Sequence, residues 1–490
     1  MFRTKRVKTA AEHAPEHRLA ATLSWPHLIA LGVGAIVGTG ILTLIGVGAG
    51  KAGPAVILSF VIAGAICACA ALAYAEMSTM MPASGSAYTY SYAVLGEIIA
   101  WVVGWSLILE YSLVVSAVAV GWSGYAAPLL AKWADVPMDL MTGPHAGGII
   151  NLPAIGIIAV VAGLLSFGTR ESATLNAGLV IVKIIALAVF VAVALPSFDA
   201  ANFEPFSPFG FGKSLSADGV ERGVMAAAAI IFFAFYGFDA ISTAAEETKN
   251  PGRDLAIGIV GSMIACVVIY MLVAVAAVGA ISYTRFADSP EPLALILREL
   301  NQPAFATFLA VSAIIALPTV LLGFLFGQSR IFFTMARDGM LPIELAKVSK
   351  RGSPVRITIF TAIIVSIIAG LLPIDEIAAL ANAGTLLAFA AVAICMMVLR
   401  RRAPDAPRMF RTPLWWLVGG IAVLGCAYLF YSLPAKTPNW FQQWEVAGLQ
   451  LWIPARTQLW FLLWNILGLV IYFAYARPNV TRPVNPKVFE

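Results

Sequence analysis

The chain has 490 residues, 60% of them hydrophobic and 12% charged, with a mean hydropathy of +0.88 and a net charge of +5. A soluble protein carries about 25% charged residues, so a water-soluble globular domain is excluded and the function belongs across a bilayer. The small positive excess needs no nucleic acid to explain it.

A bilayer-spanning helix needs about 20 apolar residues. Twelve stretches qualify: 27–50, 54–80, 97–129, 151–168, 172–196, 223–245, 254–282, 303–336, 354–372, 374–400, 412–433 and 456–476. The basic, polar Met1–Leu19 runs straight into the first span, so no cleavable signal peptide is expected. With twelve spans both termini share a side. That side holds 22 of the 31 Lys and Arg, the other holds 8, and the last is Lys183 inside span 5. The bias puts both termini in the cytoplasm.

Ser24-Trp25-Pro26 reads as a helix N-cap with an interfacial aromatic. Span 1 then contains Gly34-Ala35-Ile36-Val37-Gly38-Thr39-Gly40-Ile41. Glycine in a helix interior costs roughly 0.5–1 kcal/mol relative to alanine. Such a run predicts a break that leaves backbone groups for a polar ligand at mid-membrane. The plainer alternative is close helix packing through small residues.

Between spans 2 and 3, the linker Met81–Tyr88 has no Lys or Arg although it falls on the cytoplasmic side. It is expected either to fold back as part of an inner gate or to be a plain short loop. Span 3 carries Glu110, and a carboxylate near mid-span costs about 2.5–3.5 kcal/mol on insertion scales. It should face the bundle interior, paired or protonated, as a structural residue or as part of a proton or substrate path. Span 5 holds Lys183 with four apolar residues on each side, too deep to snorkel fully. A proton-carrying amine and a fixed charge replacing a metal cation are the two functional readings, and intramembrane ionisable residues favour function.

In span 6, Ile230–Phe238 is apolar until Gly237 and Asp239 interrupt it, and Glu246, Glu247, Lys249, Asn250 and Pro251 follow. Gly237 is expected to end one half-helix and Asp239 to start another. Spans 1 and 6 each open a five-span block, and five is odd, so the blocks run in opposite directions. That is the layout of an inverted-repeat transporter, whose site lies at discontinuous helices in corresponding positions.

The remaining features read as bland. The Arg400-Arg401-Arg402 run is mainly a topology signal, with lipid contact second. Segment 434–455, with Trp440, Trp444 and Trp452, looks like an external interfacial segment. The five cysteines, Cys67, Cys69, Cys266, Cys395 and Cys426, have no metal-ligand spacing and read as small apolar residues. No convergent nucleophile–base pair or metal set points to an enzyme, no repeated filter or charged ring points to a channel, and the tails are too short for a receptor's output domain.

At this point a resemblance enters. Gly34–Ile41 resembles the first-helix motif of the amino acid–polyamine–organocation superfamily. Phe232–Asp239 followed by Glu246-Glu247-Thr248-Lys249-Asn250-Pro251 is similar to its cationic amino acid transporter family, as are Gly327-Gln328-Ser329-Arg330 and Arg337–Pro342. The resemblance covers about residues 25–480 and implies a bacterial member. It implies an all-α polytopic membrane protein: twelve transmembrane helices in a leucine-transporter-type 5+5 inverted repeat plus two extra helices. The expected organisation is a cytoplasmic tail (1–26), a first five-helix repeat (27–196), an external loop (197–222), a second repeat (223–400), a basic loop (401–411), two further helices (412–476) and a cytoplasmic tail (477–490).

The resemblance also implies a site for a free L-amino acid. Its carboxylate would meet backbone N–H groups around Gly38, Thr39 and Gly40, at the positive end of a half-helix. Its ammonium would meet carbonyls of Ile36, Phe233, Ala234 and Tyr236. Phe233 would lie over the substrate, and Phe324 would limit the pocket and favour small neutral side chains such as alanine. Cationic substrates stay open, with Glu110, Asp239 and Thr319 as candidate pocket or path residues. Lys183 matches a lysine that stands in place of a sodium ion and suggests proton coupling, and Glu110 matches a span-3 glutamate. No metal or cofactor is expected beyond a proton gradient. The expected partners are the L-amino acid and membrane lipids, at a bacterial inner membrane, and an accessory small membrane subunit stays open. The expected function is proton-coupled import by alternating access, with amino acid or polyamine exchange as the alternative.

Overall fold

The structure is a computed structural model that describes residues 23–134, 137–167, 170–216, 219–346, 355–433, 441–446, 449–454 and 457–480. Most of the tails expected at 1–26 and 477–490 lies outside the described residues, as do Trp440 and the side chains of Trp444 and Trp452.

The first expected span is three helices: α1 (Trp25–Ile36), α2 (Thr39–Leu42) and α3 (Leu44–Ala52). After α4 (Val56–Met80) come a short α5 (Ser86–Val94), the long α6 (Glu97–Ala134), α7 (Leu152–Phe167) and α8 (Arg170–Ala194). The sixth expected span is again divided, into α9 (Val224–Ile231), a tight turn at Phe232–Ala234 and α10 (Asp239–Thr243). Next are α11 (Pro251–Ala280), a short α12 (Pro292–Glu299), α13 (Pro303–Ala316) and α14 (Pro318–Arg337). The chain ends with α15 (Val355–Leu371), α16 (Ile374–Arg402), α17 (Trp415–Tyr431), α18 (Thr457–Ile471) and α19 (Arg477–Asn479).

Among the described residues, nine helical stretches are long and apolar enough to cross a bilayer. Three shorter apolar helices are Leu152–Ser166, Val355–Leu371 and Trp415–Tyr431. The stretch Val224–Thr243 is buried throughout and forms the axis of the bundle, whereas Thr457–Asn479 turns most of its surface outward. That difference follows from composition: the central stretch is rich in alanine, so other backbones can approach it.

Three observations differ from the sequence reading. The fold is not purely helical, because two antiparallel hairpins occur, β1 (Ser214–Leu215) with β2 (Glu221–Arg222) and β3 (Phe441–Val446) with β4 (Leu449–Pro454). Both lie between membrane helices, and strands this short satisfy their backbone groups against each other. The eighth expected span, found as Pro303–Arg337, carries a local interruption: Pro318 lacks the N–H that a helix interior needs, and α13 and α14 meet at Leu317, which keeps helical angles. The basic run after α16 is more than a topology signal. Arg400 lies 2.7 Å and Arg408 3.1 Å from the carboxylate of fully buried Glu76, which also accepts from Thr412 N at 2.8 Å. A buried acid of this kind is stable only when paired, and it pins the 403–412 loop under α4.

The linker after α4 folds back into the bundle. Ser84 N donates to Glu246 (3.1 Å), Ser242 Oγ donates to Ser86 Oγ (2.7 Å) and Tyr88 OH donates to Asp338 (2.9 Å). All nine residues of α5 are buried, which accounts for the absence of charge in this stretch. At the bundle's edge, α18 docks on α6 through stacked tryptophans. Trp105 Nε1 donates to Trp464 O (2.9 Å) and Trp464 Nε1 donates to Trp105 O (3.0 Å). Four of the five cysteines are buried and Cys69 is half-buried.

Candidate functional site

The first break lies between Ile36 and Thr39. The first amides of α2 have no intrahelical acceptor, and the last carbonyls of α1 must find donors elsewhere. Two neighbouring helices, α8 and α11, supply them. Lys183 Nζ, on α8, donates to Gly34 O and Val37 O, each at 2.8 Å. Tyr270 OH, on α11, donates to Ile36 O (2.7 Å), and the Asn176 amide reaches Ala30 O at 3.5 Å. Beyond α2, Tyr125 OH donates to Leu42 O (2.6 Å) at a second interruption before α3. Lys183 is only 3% exposed, so its ammonium occupies the break itself and does not reach water.

The second break is held by its own residues. Gly237 has φ +120°, which favours glycine. A Cβ there would lie 2.9 Å from Ala35 C and 3.0 Å from Ile36 N, so glycine also permits contact with the first break. The Asp239 carboxylate accepts from Gly237 N (3.0 Å) and from Tyr111 OH (2.6 Å). Asn382, on α16, donates to Ala229 O (2.7 Å) near the end of α9. Gly40 lies directly against the Ala234 backbone, with no room for a side chain. The two breaks therefore interlock through two glycines, each resting on the other's backbone.

Between them is a narrow cavity. Ala35, Ile36, Gly38, Thr39 and Gly40 line it from the first break, Phe233 and Tyr236 from the second, Val114 and Val118 from α6, and Val320 and Phe324 from α14. Phe233 and Tyr236 pack edge to face at 4.9 Å, Tyr236 and Phe324 at 6.0 Å, and Tyr111 closes on Phe324 at 5.2 Å. None of the lining residues is charged. The Thr39 and Tyr236 hydroxyls have no hydrogen-bond partner among the described residues.

Of the residues singled out by sequence, Ile36, Gly38, Thr39, Gly40, Phe233, Tyr236 and Phe324 meet at this cavity. Ala234 does not line it, because its backbone is pressed against Gly40. Ile36 O already accepts from Tyr270 and keeps one lone pair for any further donor. Asp239 is turned onto Gly237 and Tyr111, where it braces the break from outside the cavity. Glu110 is fully buried beside Gly384, with the Thr385 side chain facing it and neither carboxyl oxygen in a well-formed hydrogen bond. Thr319, in the first turn of α14, donates its hydroxyl to Ala316 O (2.7 Å) at the end of α13.

The sequence reading missed Val114, Val118, Val320 and Ala35. Their signal was hidden: in spans apolar on every face, a valine facing a cavity looks like one facing lipid or a neighbour. Val114 and Val118 are four apart on α6 and so share a face. Among the described residues, no group of His, Cys, Asp and Glu is placed to hold a metal.

Residues 23–473 match the family model described as amino acid permease. The chain belongs to the amino acid permease family, within the amino acid–polyamine–organocation superfamily. It is 40% identical to a branched-chain amino acid permease of Bacillus subtilis (strain 168), over 97% of this chain and 98% of that protein. It is also 40% identical to a methylthioribose transporter of the same organism, over 91% and 96%. A vacuolar cationic amino acid transporter 2 of Arabidopsis thaliana is 36% identical, over 83% of this chain and 64% of that protein. The permease is therefore a multi-pass membrane transporter and not an enzyme, and an amino acid is its class of substrate.

Proposed function

We propose that this permease is a proton-coupled importer of neutral aliphatic L-amino acids that works by alternating access. The observation that carries the reading is the narrow, uncharged cavity between two broken helices. A zwitterion needs opposite partial charges a few ångströms apart, and half-helix ends supply them without ionised side chains. In this reading the substrate carboxylate lies at the amides of Gly38, Thr39 and Gly40. The ammonium lies at carbonyls of Ile36, Phe233 and Tyr236, and Phe233 covers it; Ala234, turned onto Gly40, takes no part. Val114, Val118, Val320 and Phe324 take the side chain.

The valine lining supports aliphatic side chains, from alanine to the branched chains that the Bacillus relative's name specifies. A cationic side chain would find no acid in this lining. Lys183, donating to two carbonyls of the first break, stands where a metal cation would otherwise coordinate. As a group that can lose its proton, it couples the state of that break to the proton gradient, and no cofactor is required. The three shorter apolar helices complete twelve spans, as a 5+5 inverted repeat with two further helices. In this reading the membrane is a bacterial inner membrane, and the Lys and Arg bias supports both termini lying on its cytoplasmic side.

The test is uptake by the purified permease in proteoliposomes, with and without an inward proton gradient. The panel is radiolabelled alanine, valine, leucine, arginine, putrescine and methylthioribose. Gradient-stimulated uptake of the neutral amino acids is expected. Uptake of arginine or putrescine in preference to these, or transport seen only against internal amino acid and indifferent to the gradient, would refute the substrate or the coupling respectively.

A further inference from the structure

The cavity between the breaks is not alone. A second, roomier one lies toward the end of the bundle where α1 begins. It is one helical turn from the first: Leu31 lines the second and Ala35, four residues on, lines the first. Four helical residues rise about 6 Å. The wall between them is thin. Gly323 lines the second cavity, and a methyl group on it would lie 3.7 Å from Ala35 Cβ, an ordinary contact.

The lining of this second cavity is mixed. Asn176, Glu247 and His27 supply an amide, a carboxylate and an imidazole, beside apolar Leu31, Leu165 and Phe326. His27 is exposed, with Nδ1 paired to Ser24 Oγ at 2.9 Å, which leaves Nε2 for a ligand, and the other two polar groups are loosely engaged. Arg330 approaches the Glu247 carboxylate at 3.4 Å, longer than the about 2.7–2.9 Å of a strong charge-assisted bond. The guanidinium rests on the Phe326 ring, 3.4 Å from its centre. The Asn176 amide reaches Ala30 O at 3.5 Å. A carboxylate with spare acceptor capacity, a cation behind it, an amide opposite and an aliphatic wall together fit a small zwitterion with an apolar side chain.

We propose that this second cavity is a lower-affinity amino acid subsite on the cytoplasmic side of the central one. The ammonium is held by Glu247, the carboxylate by Asn176 and His27, and the side chain by Leu31 and Leu165. The inference rests on the proposed function, since the same class of molecule passes through both cavities. Substrate released across the Ala35–Gly323 seam pauses here before reaching the cytoplasm.

The experiment is equilibrium binding of radiolabelled L-alanine and L-leucine to the full-length permease in nanodiscs, over a wide concentration range. The wild type is expected to bind in two components, approaching two molecules per chain. Leu165→Trp, which fills the second cavity, and Glu247→Gln, which removes its charge, should each lose the weaker component and keep the tighter. Val320→Phe, which fills the central cavity, should do the reverse. If Leu165→Trp does not fold, Glu247→Gln decides. A single component in the wild type, or a weaker component unchanged in Glu247→Gln, overturns this inference and leaves the central site standing. No binding of either amino acid to the wild type overturns the proposed function as well.

Discussion

The two helix breaks are built from different parts. The break after α1 is filled by a charge from another helix: the Lys183 ammonium donates to Gly34 O and Val37 O. The break after α9 is held by its own residues and an adjacent tyrosine, with Asp239 accepting from Gly237 N and Tyr111 OH. The first depends on a group whose charge can change, and the second on fixed backbone geometry and a short hydrogen bond. In the proposed function the two bends serve unequal ends, one responsive and one rigid, and they touch where Gly237 lies against Ala35 and Ile36.

The comparison can be broken most forcefully at Lys183. Lys183→Ala is expected to reduce gradient-driven uptake to the level of empty liposomes while the protein stays monodisperse on size exclusion. Undiminished uptake by this variant would remove the responsive role from the first break. Next in size is Gly237→Val. A β-branched side chain at φ +120° meets the Ala35 and Ile36 backbone, and such strain alone costs about 1–3 kcal/mol. Thermal unfolding in detergent should shift well below wild type, and an unshifted curve would mean that the second break is not rigid.

Asp239→Asn keeps the shape and removes the charge from the bonds to Tyr111 and Gly237. A bond to a charged group is worth about 1.5–3 kcal/mol and a neutral one about 0.5–1.5 kcal/mol. A moderate loss of thermal stability is expected, with substrate preference unchanged; a changed preference would place Asp239 at the substrate after all. Phe324→Leu enlarges the cavity beside Tyr236 and sharpens the reading from the side of specificity. Each extra methylene admitted is worth about 1–3 kcal/mol of discrimination, so competition assays should favour longer aliphatic side chains. The smallest effect is expected at Thr39, where Thr39→Ser should transport nearly as wild type because the proposed contact is its backbone amide. Strong loss with serine would show that the methyl group packed on Gly121 matters more.

Much of this was legible in the chain. Glycines and an aspartate inside long apolar runs marked both breaks, because an interruption in a lipid-facing helix is costly enough to need a reason. The isolated ammonium of Lys183 stood out for the same reason. Hydropathy marked the nine helical stretches that are long and apolar enough to cross a bilayer among the described residues, and the motif around Gly38 pointed to residues that line the central cavity.

What the residues alone could not decide is which partner each polar group takes. Asp239 and Glu110 were equal candidates in sequence, yet one is locked to Gly237 and Tyr111 and the other lies beside Thr385. Arg400 read as a free topology charge, and the fold buries Glu76 against it. The valines of the cavity wall carry no local mark. Periodicity in water reports which side is buried, but in a bundle surrounded by lipid every face is apolar, so only the packing of distant helices distinguishes a cavity from a contact.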